Sequence, residues 1–249
     1  MLSVASRNAI MHQVTSIDAS RTRCPQGRRP KLSTAYILDR IFFVCRTGCQ
    51  WSRLPVENSS YKTVYHYFSK WSKARVFEDA FYGMVRARPT KNTTLIADTS
   101  FVKNVHGTQV LGRNPTDRGR KATKVSLLTD KQGTPLCTVF HKANKNDCCT
   151  LRHLLSTAAR KTNSVGLYKE LLADKGYDSQ DCRGVCSAFG LTNSIPHRRT
   201  RDIDRRRYAV EQTFGILDQF RRIRVRYEAL ISHFKSFHYL ALIHILGNR

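Results

Sequence analysis

Residues 171–178 read "LLADKGYD": a short apolar run stops on a carboxylate, then a glycine permits a sharp turn before a second acid. Either Asp174 or Asp178 could carry the reason for the stop. The same ending recurs upstream, where "TLIADTS" (94–100) runs through Leu95, Ile96 and Ala97 to Asp98. An acid at the C-terminal end of a buried strand stands where open α/β sheets place their ligand sites. A bare carboxylate there is costly unless it is paired or bound to a metal. Each Asp alone could simply cap the turn that follows it. Two such endings in one chain argue for a shared site.

The surrounding pattern supports a mixed α/β sheet flanked by helices. "TLIADTS" (94–100), "TKVSLLTD" (123–130) and "PLCTVFH" (135–141) are β-rich runs, the last two joined by a "DKQG" turn (130–133). After them, predicted helices over 149–161, 179–190 and 205–220 alternate with strands in "YKELLAD" (168–174) and "TNSIPH" (192–197). Upstream, residues 32–88 read as a small all-helical domain of helix-turn-helix type. Ile37, Ile41 and Val44, then Val64, Phe68 and Trp71, then Phe77, Phe81 and Val85 form its apolar stripes. "RPTKNTT" (88–94) is the expected boundary, placing a catalytic domain over 94–249. Residues 1–31 are polar, lack periodicity and are expected to form a loose basic arm.

A third acid lies on the long helix. At 100° per residue, Val210, Phe214 and Leu217 make its apolar stripe, with Asp204, Arg207, Glu211 and Asp218 along one flank. Arg207 and Glu211, four apart, could be a surface ion pair, or Glu211 could lean towards Asp98 and Asp174. Three carboxylates around one point repel strongly unless hard divalent cations neutralise them. An all-oxygen set suits Mg²⁺ or Mn²⁺, and two such ions perform phosphoryl transfer.

Forty-three Lys and Arg against 18 Asp and Glu leave a net charge of +25 over 249 residues. A surplus of that size asks for a polyanionic partner. The apolar stretches 35–45 and 237–246 are too short to span a bilayer, and no secretory signal opens the chain, so an intracellular, nucleic-acid-associated protein is expected. The eight cysteines contain no C-x-x-C pair and read as reduced thiols rather than zinc ligands. A metal held by Cys182, Cys186 and His197 lacks a fourth ligand.

Four blocks in order make the chain resemble the DDE transposases of bacterial insertion sequences, in the large family usually numbered five. These are "GRRPKLS…RTGCQWSRLP…YKTVYHYFSKW" (28–71), "GRNPTDRGRKATK" (112–124), "LADKGYD" (172–178) and "RRRYAVEQTFGILDQFRRIRVRYE" (205–228). The resemblance implies a ribonuclease H-like core with Asp98, Asp174 and Glu211 as a catalytic, metal-binding triad. It implies cleavage of double-stranded DNA at terminal inverted repeats and 3′-hydroxyl attack on target DNA, within a homodimer or larger assembly. Asp178 or Ser179 is then left to cap the next helix. Many relatives carry Tyr and Lys where this chain has Asp204 and Asp218.

Basic residues acquire expected DNA roles on that basis. Arg113, Arg118, Arg120, Lys121 and Lys124 surround the "NPTDRG" turn, in which Asp117 is expected to brace the loop. Lys175 and Arg207 stand beside the acids, and Arg221, Arg222, Arg224 and Arg226 follow the catalytic helix. Lys62, Thr63, His66 and Lys70 line the polar side of a candidate recognition helix. A transposase-derived protein that binds DNA without cutting it is the alternative, and a processing nuclease on the same core is a third reading.

Overall fold

The period-two runs pair into one mixed sheet, and the helical stripes cover it. The computed structural model of the chain describes residues 2–19, 32–88, 93–162, 165–197, 199 and 205–249. Four helices come first: α1 (Val4–Ala19), α2 (Thr34–Thr47), α3 (Tyr61–Lys73) and α4 (Val76–Arg86). Then follow β1 (Thr94–Asn104), β2 (Gly112–Arg113), β3 (Lys121–Asp130), β4 (Pro135–Lys142) and α5 (Asp147–Thr162). The chain continues through β5 (Glu170–Leu172), α6 (Gln180–Ala188), β6 (Thr192–Ser194) and α7 (Tyr208–Leu217). It closes with α8 (Arg221–Arg224), β7 (Val225–Arg226) and α9 (Ile231–Gly247).

β4, β3 and β1 form an antiparallel meander, and β5 and β6 continue parallel to β1. The resulting order, β4-β3-β1-β5-β6, is that of a ribonuclease H-like sheet, as expected. β2 extends the β4 edge beside Lys121 and Ala122, and β7 pairs with the far end of β1 at Lys103 and Asn104. β5 stops pairing with β1 at Ile96↔Leu172, so β1 has an open edge between β5 and β7. Asp98 lies in that notch. It does not end its strand, as the sequence suggested: β1 runs on to Asn104 because β3 keeps pairing with it as far as Lys103↔Ala122.

The helical stripes are buried as read. Ser33 caps α2 by accepting the Tyr36 N–H at 3.2 Å, and Ile37, Ile41 and Val44 are buried. Gly48 ends that helix at φ +71°, where an added Cβ would lie 2.9 Å from the Arg221 Cβ, so only glycine fits. Phe68 of α3 stacks on Phe237 of α9 with ring centroids 4.5 Å apart.

One expectation changes here. Residues Val4–Ala19 are helical rather than a loose arm, because Ile10 and Val14 are buried and Ser6 Oγ donates to the Ile243 carbonyl of α9 at 2.9 Å. Residues 20–31 of the expected arm and 89–92 of the expected boundary lie outside the described residues. The apolar stretch 237–246 becomes the buried middle of α9, which packs against α1, α2, α3 and α4 as well as β4. One continuous core therefore runs from Leu2 to Leu246. Among the described residues no helix is long and apolar enough to cross a membrane.

Two desolvated histidines, His238 of α9 and His141 of β4, give the fold a pH signature. Burial pushes His238 from its ordinary 6.5 to about 4, with Nδ1 donating to the Phe234 carbonyl at 3.0 Å. His141 is also pushed to about 4 by burial and by neighbouring His153. The unfolded chain takes up these protons near pH 6.5 and the folded chain only near 4. Their stabilising contribution is complete above pH 6.5 and is lost as pH falls from 6.5 to 4. The urea midpoint should drop across that window, and less steeply in His238→Gln; equal profiles would exclude His238 as a source.

Candidate active site

Each carboxylate is set by local backbone chemistry. Asp98 is 19% exposed at its side chain, and its Oδ1 accepts the Thr99 N–H at 2.8 Å. Burial raises its pKa; the Thr99 N–H and the Arg207 charge act against that, while Asp174 and Glu211 add to it. Asp174 follows β5 and opens the turn Lys175–Tyr177, its Oδ1 accepting the Lys175 N–H at 2.6 Å. Glu211 projects from the first turn of α7, half exposed. That helix is seated by buried Val210 and Leu217 and by Thr213, whose Oγ1 donates to the Gly133 carbonyl at 2.7 Å. The long helix expected over 205–220 is shorter: residues Arg205–Arg207 form a 3₁₀ turn before α7.

The three acids converge on one guanidinium. Arg207 Nη1 donates to Asp174 Oδ1 at 3.3 Å, and Nη2 lies 3.8 Å from Asp98 Oδ2 and 3.9 Å from Glu211 Oε1. The i,i+4 pair read from the sequence is thus part of a four-residue cluster at the notch of the sheet. Asp178 faces elsewhere: it pairs with Arg183 at 2.7 Å and lies 3.5 Å from His197, while Ser179 caps α6. Of the two acids in "LLADKGYD", Asp174 is the one that lies in the cluster.

A cleft of about 360 Å³ opens beside the cluster, lined by Asp98, Asp174, Tyr177, Lys124, Asp147 and Thr116, with others. Its outer wall is the "NPTDRG" loop. Asn114 braces that loop, not the Asp117 carboxylate: Asn114 is buried, and its Oδ1 accepts from the Thr116 N–H and hydroxyl at 3.0 and 2.8 Å. Tyr177 and Asp147 were not singled out by the sequence reading. Tyr177 carries a buried hydroxyl in no hydrogen-bond geometry, although Thr99 is close, and burial keeps it protonated. Its only sequence signal is an aromatic inside a turn three residues after Asp174.

Three basic residues expected at DNA are committed to the core instead. Lys124 is 3% exposed; its Nζ donates to Asp147 Oδ1 at 2.7 Å and to the Lys145 carbonyl at 2.9 Å. Arg222 pairs with buried Glu228 at 2.5 Å. Arg226 is fully buried, donating to the carbonyls of Gln109, Glu228 and Ala229 and to Thr123 Oγ1. Partners elsewhere in the fold hold these side chains inward, which composition alone does not reveal. Arg113, Arg118, Arg120, Lys121, Arg221, Arg224, Lys62 and His66 are exposed; Thr63, Lys70 and Lys175 are half-buried. Asp204 lies outside the described residues, and Asp218 is exposed at the end of α7. The cysteines at 45, 137, 182 and 186 are buried free thiols, as expected for a reduced protein.

Comparison with known families decides the assignment. Residues 89–246, well over half of the chain, match the family described as "Transposase DDE domain". The chain belongs to the DDE transposase family. Residues 13–81 match a second family, described as "Putative transposase of IS4/5 family (DUF4096)". The chain is 35% identical over 124 residues to the "Putative transposase for insertion sequence element IS402" of Burkholderia cepacia. That stretch is 47% of this chain and 59% of the relative, so the match spans little more than half of the relative's length. Among solved structures, one similar chain comes from the simian T-cell lymphotropic virus intasome in complex with PP2A regulatory subunit B56 gamma. Its identity is 12% over 82% of this chain and 64% of that one, at a TM-score of 0.39. Another comes from the Mos1 strand transfer complex, with 10% identity, 95% and 84% coverage and a TM-score of 0.37. Similarities at that level carry no argument about activity.

Membership of the DDE transposase family implies dependence on a divalent metal. The donor set fits one: Asp98, Asp174 and Glu211 present only hard oxygens, and a cation, the Arg207 guanidinium, already stands among them. In this arrangement, among the described residues, no three acidic, histidine or cysteine side chains are close enough to share an ion.

Proposed function

We propose that this chain is a DNA transposase that cleaves double-stranded DNA at terminal inverted repeats and joins the freed 3′-hydroxyl to target DNA. The observation that carries this reading is the convergence of Asp98, Asp174 and Glu211 on one point beside an open cleft in a ribonuclease H-like sheet. Mg²⁺ or Mn²⁺, two ions to a site, would activate the attacking oxygen and stabilise the leaving one. Asp98 and Asp174, each held by the following backbone N–H, are the fixed ligands. Glu211, half exposed on its helix, is the third and the freest to adjust.

The net charge of +25 supports a polyanionic partner. Arg113, Arg118, Arg120 and Lys121, exposed in and beside the loop that carries Pro115 and Thr116 of the cleft wall, are assigned with Lys175, Arg221 and Arg224 to the phosphate backbone. Lys62, Thr63, His66 and Lys70 on α3 are assigned to recognition of the terminal repeat, so residues 32–88 serve as the DNA-binding module and 94–249 as the catalytic one. Joining two ends calls for a homodimer or larger assembly, acting where the cell keeps its DNA.

The Arg207 plug favours one second reading, a transposase-derived protein that binds DNA and does not cut it. A strand-transfer assay on the flanking ends, with Mg²⁺ and with Mn²⁺, separates the two. Joined products that vanish in Glu211→Gln support the transposase. Salt-sensitive binding without cleavage in either metal supports the derivative.

A further inference from the structure

We infer that Arg207 is the resident counter-ion of the carboxylate centre and competes with the divalent cation for it, leaving only when a DNA phosphate offers a better partner. Metal loading then follows DNA binding. This inference rests on the metal-dependent reading above.

The contacts of Arg207 show why it is held yet can be exchanged. Its side chain is 14% exposed and that of Asp98 19%, so this pair interacts at low solvent screening, while Asp174 and Glu211 reach it from half-exposed positions. Only the contact to Asp174, at 3.3 Å, is a hydrogen bond; those to Asp98 and Glu211, at 3.8 and 3.9 Å, are not. Its buried Nε has no acceptor. A guanidinium in a stable final position uses its donors, as Arg226 does with four acceptors and Arg222 does with Glu228 and the Cys49 carbonyl. The neighbouring Arg206 is likewise engaged, with both Glu170 oxygens at 3.0 and 3.1 Å. Arg207 alone in this group neutralises charge without satisfying its fork.

Without Arg207 the acids would face one another uncompensated, which explains its place in the free protein. A phosphodiester accepts two parallel N–H bonds in the geometry a guanidinium presents. Moving onto a phosphate at the mouth of the cleft would satisfy the fork and expose three oxygens to the metal. The 3₁₀ turn Arg205–Arg207 keeps this side chain at the start of α7, within reach of both positions.

The test is Mn²⁺ binding to the full chain, read from the paramagnetic resonance of the free ion, with and without a short DNA duplex. Arg207→Gln should bind Mn²⁺ about tenfold more tightly than wild type without DNA, within the usual range of coupling between two ligands. Adding duplex should tighten wild-type binding by a similar factor and leave Arg207→Gln unchanged. Arg207→Lys, which keeps the charge but not the fork, should remain close to wild type without DNA. Equal affinities for wild type and Arg207→Gln overturn the competition, as does an Arg207→Lys affinity matching that of Gln. If no protein binds Mn²⁺ in a manner lost in Asp98→Asn, the metal centre itself falls, and the inference with it.

Discussion

An Asp98→Asn protein should bind terminal-repeat DNA as tightly as wild type and fail to cut it. The substitution keeps the shape of the side chain and its acceptor for the Thr99 N–H, held at 2.8 Å in the wild type. It removes the charge that faces the cation position. The expected loss in single-turnover cleavage with Mg²⁺ is at least about 10³-fold, the scale seen when one preorganised electrostatic group is removed. A gel-shift titration should be unmoved. Cleavage at the wild-type rate would falsify the assignment of this acid.

The same variant should not be less stable near neutral pH. Burial raises the Asp98 pKa, so its favourable contribution is complete below the ordinary carboxylate range and is lost as pH rises through the raised value. At neutral pH the wild type carries a partly desolvated charge that Asn lacks. A melting temperature for Asp98→Asn at or above wild type, alongside lost cleavage, is the pattern of an acid kept for chemistry at some cost to the fold.

Arg222→Met should be the most damaging of the arginine substitutions for stability, by about 3–5 kcal/mol, the usual effect of removing one partner of a buried ion pair. Arg222 is 8% exposed and Glu228 6%. Their contact at 2.5 Å is the main compensation for a carboxylate whose pKa burial pushes up. The other oxygen of Glu228 has no partner, and the bond that Arg226 makes to Glu228 goes to its backbone carbonyl and not to the carboxylate. Met can fill the volume but cannot neutralise the acid. Adding Glu228→Gln should recover most of the loss, because a neutral buried pair no longer needs the guanidinium. Urea denaturation of the single and double variants measures this. If Arg222→Met leaves the midpoint in place and instead weakens DNA binding, Arg222 serves the nucleic acid after all.

That contrast marks how far "FRRIRVRY" could be read from the chain alone. Four arginines in eight residues look equivalent as charge, and a +25 protein invites their assignment to phosphate. In the fold Arg221 and Arg224 are exposed while Arg222 and Arg226 tie α8 and β7 to the core. The local period changes from helix to strand at Val225, so no single periodicity predicts which side each guanidinium takes. Lys124 is a comparable case on a β-strand, drawn inward by Asp147 from an element distant in sequence.

What the chain by itself determined is the order of elements and the three acids, Asp98, Asp174 and Glu211, proposed as the site. Those follow from local physics: period-two runs that must be buried, helical stripes, and acids placed where an apolar run meets the notch of a sheet. The N-terminal helix α1 was not legible, because its buried face is sparse and gains its partners only in the fold, from α2, α4 and, at the other end of the chain, α9. The position of Arg207 among the acids was not legible either. The i,i+4 spacing links it to Glu211, but Asp98 and Asp174 reach it through the parallel pairing of β1 with β5 and the seating of α7 on the sheet. Pairing across long sequence separations decides which charges meet, and only the tertiary structure sets it.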